Sequence, residues 1–465
     1  MGQRMNEENQ EQDQKDEIAG KQEEPGQIVS EKVEKKREEK PKKKRLRIQG
    51  AAWRRLDNTA KLFAAVSGED LSSVFRISAV LKEKVDPELL QRALVRTLPE
   101  FENFRVKLRK GFFWYYFETN RKPAPRVEKE TEYPCRKMEP QLNNQYLFRV
   151  SYYKRRINLE VFHVLADGMG GVTFLKELAC QYLRLAHPEL CSRVGDHLSE
   201  QTSLNTEDSY LKNFRKGQPK GYKSKPAFHM NGEKLKDGAF GVIQGYLPLD
   251  QVKRAAHERS VSINEYLAGV YAYSIYRECL HGAVSDKPLV LCVPVNLRPY
   301  FESITTRTFF GMVSAAFEPD HEDYSRDEIE HIIVESLRAQ INKENLEKLF
   351  SYNVSNQKNL MLRAVPLILK KIVMQWVYQV SARATTTTLT NLGVLKVDEE
   401  YQPYIRHFSA ILSVSQGQNT KMTICSYGGE MVITFSSILK DVSVQKRFFR
   451  TLAEDGIQPA VESNL

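Results

Sequence analysis

Between residues 186 and 238 the regular apolar patterning of the chain breaks off. The stretch "GDHLSEQTSLNTEDSYLKNFRKGQPKGYKSKPAFHMNGEKLKDG" is polar and rich in Gly, Lys, Ser and Asp. A segment of that length without elements of its own is an interdomain linker or a functional loop. It splits a chain of 465 residues, which is too long for one small core and calls for two lobes. The boundaries follow: an N-terminal lobe over 53–190, a linker or crossover loop over 191–238, and a C-terminal lobe over 239–465.

Both lobes mix strand and helix. In the first, "VFRISAVL" (74–81) alternates like a strand, and "DPELLQRALVRTL" (86–98) has helical spacing with Asp86 placed to cap it. Strands follow at 104–109 and 112–118, then a hairpin of 146–154 with 157–164, then a helix over 169–185. In the second, a strand at "FGVIQGYLP" leads to helices at 249–259 and 263–280, the latter capped by Ser262. "PLVLCVPVN" (288–296) reads as a strand buried on both faces. Then come a strand near 312–318, helices at 326–346 and 357–380, strands near 386–391, 407–415, 420–427 and 430–437, and a helix at 443–455. The class is α/β (α+β), with no short-period repeat.

Residues 1–48 are different in kind. Residues 1–50 hold 13 Lys+Arg and 12 Asp+Glu and almost no large apolar side chains, so a disordered charged tail is expected. Its "KPKKKRLR" cluster (40–47) is either a solvated end or a weak contact for anionic membrane or RNA. The whole chain carries 69 Lys+Arg against 59 Asp+Glu, a net +10, which suits anionic partners in general and specifies none. The first 20 residues have no secretory apolar region, and no apolar run approaches the ~20 residues of a membrane helix. Six scattered cysteines without a CxxC pair argue against a zinc site or a disulfide scaffold and fit a reducing cytoplasm.

The stretch with chemistry in it is "LEVFHVLADGMGGVTF" (159–174). Strand alternation puts His163 on the face of Ile157, Leu159 and Val161, at the end of the strand. Asp167 follows four residues on, and Gly168, Gly170 and Gly171 allow close backbone approach and φ > 0. The helix beyond offers free N–H groups near His163. On these local grounds His163 is either an acid–base group or a satisfied core histidine. A phosphate cradle would need a lysine after the glycines, and no GxSxG elbow or activated nucleophile is evident.

"FHVLADGMGG" resembles the HxxxDG motif of the chloramphenicol acetyltransferase-like superfamily, which includes condensation domains. "VPVNLRPYFESITTRTFFGMV" (293–313), "TLTNLG" (388–393) and "RRLDNTAKLFAAV" (54–66) resemble further segments of that group in the same order. The likeness spans about 53–460 and is nearest to bacterial alcohol O-acetyltransferase-like proteins. It implies two lobes, each a mixed sheet packed by helices, with an active-site tunnel between them. It implies an acyl (acetyl) transfer from acyl-CoA, as co-substrate, to an alcohol or amine, with no bound cofactor or metal, no acyl-enzyme, and a monomer. His163 would be the general base. Asp167, next to Gly168 of the motif, would be structural, or simply a helix cap, and Arg298 its partner or merely a surface charge. Asn296 would line the tunnel or end a strand, and Thr390 and Asn391 would contact substrate or form a turn. Two departures narrow the likeness: Phe162 stands where many condensation domains and wax-ester synthases have a second histidine, and the DFGWG segment of the plant enzymes is missing. An acyl carrier protein as donor partner, and a non-catalytic lipid-binding homologue, are the alternatives.

Overall fold

The computed structural model describes residues 53–68, 71–190, 207–215, 225–236, 238–358 and 365–465. The expected charged tail over 1–48, its basic cluster, and much of the 191–238 linker lie outside the described residues.

The first lobe contains β1 (Trp53–Arg55), α1 (Asn58–Val66), β2 (Val74–Leu81), α2 (Pro87–Thr97), β3 (Val106–Lys110), β4 (Tyr115–Thr119), β5 (Glu128–Lys129), β6 (Phe148–Tyr153), β7 (Arg156–Phe162) and α3 (Gly168–Ala186). A short α4 (Ser209–Lys212) leads on. Then come β8 (Gly241–Pro248), α5 (Leu249–Glu258), α6 (Ile263–Cys279), β9 (Leu289–Asn296), α7 (Arg298–Phe301), β10 (Phe310–Phe317), α8 (Arg326–Gln340), α9 (Lys343–Lys358) and α10 (Leu367–Ala382). The chain closes with β11 (Thr387–Val394), β12 (Ile405–Leu412), β13 (Thr420–Tyr427), β14 (Glu430–Ser437), α11 (Ser443–Glu454) and β15 (Ala460–Ser463).

These strands make two large sheets and a small one. The N-terminal sheet has the order β12-β2-β7-β6-β5, the C-terminal sheet β10-β9-β11-β13-β14-β8-β15, and β1-β4-β3 forms a separate ribbon. Each large sheet has its own apolar core. One gathers Leu90, Leu94, Leu159, Val161, Phe174 and Leu178 from α2, β7 and α3. The other gathers Leu267, Tyr271, Leu291, Ile333, Ile433 and Phe448 from α6, β9, α8, β14 and α11. The chain is therefore a mixed α/β protein of two helix-packed sheets.

Among the described residues the lobe division is crossed at β12. β12 is reached from the C-terminal sheet yet pairs antiparallel with β2, Ser409 opposite Ser78. The chain then returns to β13, and the Thr423 hydroxyl of β13 donates to the Ala410 carbonyl of β12. The two sheets are thus tied together through β2, which pairs on its other edge with β7, the strand that leads to His163.

Local chemistry explains most of the elements. Asp86 caps α2 by accepting from the Glu88 and Leu89 amides at 2.8 and 3.1 Å. Capping boxes start α6 (Ser262 with Glu265) and α8 (Ser325 with Glu328). The helices expected over 326–346 and 357–380 resolve as three. Asn342 ends the first by capping the next, its side chain accepting from the Asn345 amide at 2.9 Å. Pro366 stands at the start of α10 and cannot extend a helix that precedes it. β7 is buried on both faces: the side opposite His163 holds Glu160, 1% exposed and paired with Arg76 and Arg149.

Candidate active site

His163 is the first residue past β7. Its amide donates to the Ser73 carbonyl at 2.9 Å, and the Leu165 amide returns to the Phe162 carbonyl at 2.8 Å, which fixes the turn. The half-buried ring stacks on Phe63 of α1 (centroids 4.6 Å, planes 14° apart) and lies tilted against Phe75 of β2 at 4.5 Å. Burial drives the imidazole pKa down to about 4; Asp167 and the backbone of Ala166 pull it up, and Lys421 of β13 pushes it further down. The ring is neutral at pH 7. Nδ1 is buried without a partner of hydrogen-bonding geometry, so Nε2 is the nitrogen left to meet a substrate.

Asp167 does not serve the imidazole. It caps α3, its Oδ1 accepting from the Gly170 amide at 2.9 Å and from Arg298 at 2.9 Å, while Oδ2 accepts from the Phe309 amide at 2.8 Å. Both oxygens are spent on the brace. Arg298, just past β9, also donates to the carbonyls of Thr305 (2.8 Å) and Arg307 (2.7 Å) and to Asn296 Oδ1 (3.1 Å). Asn296 therefore orients the guanidinium from the end of β9.

The loop 303–309 is the hub. A Cβ on Gly170 would sit 2.1 Å from the Thr306 carbonyl oxygen, so only glycine lets α3 dock there. Gly168 faces the Leu392 side chain of β11, where a Cβ would meet it at 2.8 Å. None of Gly168, Gly170 and Gly171 adopts positive φ; they form the first turn of α3, and the expected left-handed turn is absent because close approach alone uses them. Arg307 meets Asp57, the cap of α1, at 3.5 Å. Burial pushes the Asp57 carboxyl up to about 6 against the pull of Arg307. Tyr210 of α4 closes the group, accepting from the Phe310 amide at 3.0 Å and donating to its carbonyl at 2.8 Å.

Four separated stretches of sequence thus meet: 54–66, 163–171, 296–310 and 388–393. Thr390 lies on β11 opposite Thr423 of β13. Asn391 is engaged elsewhere, its amide donating to Asn264 Oδ1 of α6 at 3.0 Å and its carbonyl oxygen accepting from the Gly393 amide at 2.7 Å. Phe63, Phe75 and Lys421 were not anticipated. Lys421 had a signal: it is a lone charge in β13 at the parity of Thr423 and Cys425, the face opposite the buried Met422 and Ile424. Burial lowers its ammonium pKa to about 8. Among the described residues no three His, Cys, Asp or Glu side chains are gathered as a metal site would need.

No known family's sequence profile matches the chain, and no curated protein matches it in sequence. Solved structures do share the fold. TRI101 of F. sporotrichioides, complexed with coenzyme A and T-2, superposes with a TM-score of 0.58 at 12% identity over 89% of this chain and 100% of that one. The first condensation domain of the calcium-dependent antibiotic synthetase gives 0.55 at 13% identity over 88% and 99%. Polyketide synthase associated protein 5 from Mycobacterium tuberculosis gives 0.54 at 14% identity over 86% and 96%. The two-lobed architecture expected from the motifs is the architecture of these proteins.

Proposed function

We propose that the chain is an acyltransferase that moves an acyl group from a thioester to a hydroxyl or amine, with His163 as general base. The observation that carries this is a neutral imidazole at a strand end, in a turn braced from outside by Asp167, Arg298 and the Phe309 amide. Nε2 takes the proton of the acceptor O–H or N–H as that atom attacks the thioester carbonyl. The C–S bond breaks, the proton passes to the leaving thiolate, and the imidazole is neutral again. No acyl-enzyme is required. Asp167 holds the turn and does not relay charge, since its oxygens are occupied. Lys421, whose charge acts on His163, is our candidate substrate contact from the C-terminal sheet, and Thr390 of β11 is a second.

The donor we favour is acyl-CoA, with acetyl as the simplest acyl group; the TRI101 neighbour was solved with coenzyme A. The alcohol O-acetyltransferase-like subtype rests on the motif resemblance. A carrier-protein-dependent condensation reaction is the second reading, favoured by the condensation-domain neighbours. Free-thiol release with a panel of acyl-CoAs and alcohols or amines tests the first. Replacing acyl-CoA by acyl-carrier protein separates the two: turnover with the carrier alone assigns the second.

A further inference from the structure

α10 is amphipathic the wrong way round. Ile368, Leu369, Ile372, Val373, Trp376, Val377 and Val380 follow the i, i+4, i+8 spacing of one helix face, and every one of them is exposed. Trp376 is 65% and Ile372 59% exposed. The half-buried positions include Lys370, Lys371 and Gln375. A helix docked by the hydrophobic effect would turn the other way.

The face continues past the helix. The Leu367 amide donates to the Phe112 carbonyl at 2.9 Å, and Lys370 donates to the Phe113 carbonyl at 3.2 Å with its ammonium 3.5 Å from the Trp114 ring centre. Phe112 is 73% and Trp53 63% exposed, and both line one open hollow with Phe113 and Trp114. All 3 tryptophans of the chain are exposed: Trp376 on α10, Trp114 beside its first turn, and Trp53 in the hollow it shares with Trp114. From Lys348 to Val397 the sequence has no acidic residue, while it holds Lys348, Lys358, Arg363, Lys370, Lys371, Arg383 and Lys396.

We infer that the outward face of α10, with the adjoining 111–114 turn, docks on an anionic lipid surface. Aliphatic side chains enter the acyl boundary, the tryptophans sit at headgroup level, and Lys371 reaches the phosphates from the helix flank, while Lys370 holds the 111–114 turn against α10. No described helix is long and apolar enough to cross a membrane, so α10 lies on the surface. A second copy of the chain fits less well: a two-fold contact through α10 would bring two basic helices together, with no acidic residue on either helix to pair with Lys370 and Lys371. α10 packs on α1, whose Phe63 stacks on His163. On the acyl-transfer reading proposed above, this makes a membrane-dissolved alcohol or amine the acceptor class; the binding itself does not depend on that reading.

The test is flotation of the full chain with phosphatidylcholine vesicles, with and without phosphatidylglycerol, read together with tryptophan emission. We expect binding to the anionic vesicles with a blue shift. Ile372→Gln/Trp376→Gln, both at exposed sites, should weaken binding roughly tenfold or more with thermal melting unchanged. Lys371→Glu should weaken it on anionic vesicles alone. Wild type that ignores the vesicles, or a double variant that binds as wild type does, overturns the inference. So does loss of binding on Lys42, Lys43, Lys44 and Arg45→Gln in the full chain with α10 intact, which assigns the tail. A dimer dissociated by Trp376→Gln, without vesicle binding, assigns the face to a second copy.

Discussion

His163 and His407 share much of their physics. Burial holds both imidazoles at a pKa of about 4, and each has a buried Nδ1 without a hydrogen-bond partner. His407 lies within β12, 5% exposed, its ring tilted on Tyr246 at 5.0 Å and its Nδ1 3.4 Å from the Glu430 carboxylate. His163 stands off the end of β7 in a turn locked by a buried ion pair, half-buried, against two phenylalanines. A depressed pKa therefore marks burial, which both share. What distinguishes His163 is its place past a strand end, in a turn braced by Asp167, Arg298 and the Phe309 amide, whereas His407 lies inside a strand with Glu430 beside it.

His163→Ala should cut acyl transfer by on the order of 10²-fold or more, while His407→Leu should leave kcat/KM at the wild-type level; steady-state thiol release reads both. Next in size is the brace. Arg298→Met strands the Asp167 carboxylate, 3% exposed, and should cost about 3–5 kcal/mol in urea unfolding. Gly170→Ala drives a Cβ into the Thr306 carbonyl and should cost about 1–3 kcal/mol, with activity falling as the 303–309 loop shifts.

Smaller effects sharpen the pairing through pH. Each histidine takes up a proton on unfolding between pH 6.5 and about 4, so the stability they contribute is present above 6.5 and lost as pH falls through that window. Asp57, raised from 3.8 to about 6, acts in the opposite sense and offsets part of the slope. His163→Leu and His407→Leu should each flatten the acid loss of stability, measured by urea melts at pH 4.5 and 7.5. Only the first should lose activity. Lys421→Met removes a cation that lowers the His163 pKa, so the acid limb of kcat/KM should move to higher pH.

Much of this was legible in the sequence. Strand parity and Asp86, Ser262 and the glycine run marked β7, α2, α6 and α3, since these depend on local spacing and caps. Arg298 beside Asp167 came from the motif resemblance, because a contact between residues 167 and 298 has no local signature. Phe63 and Lys421 were missed for the same reason: each reaches the site from another element. The crossing of β12 was also hidden, as an apolar strand reads alike in either sheet. The outward face of α10 has helical spacing, but spacing alone does not say which side the core takes.

One comparison decides whether His163, and not its near-twin, is the base. Wild type, His163→Ala and His407→Leu, each shown folded by thermal melting, should be compared for free-thiol release from acyl-CoA at pH 7.5 with an alcohol or amine panel. Wild type and His407→Leu should release thiol, and His163→Ala should not. Full turnover by folded His163→Ala would contradict that assignment.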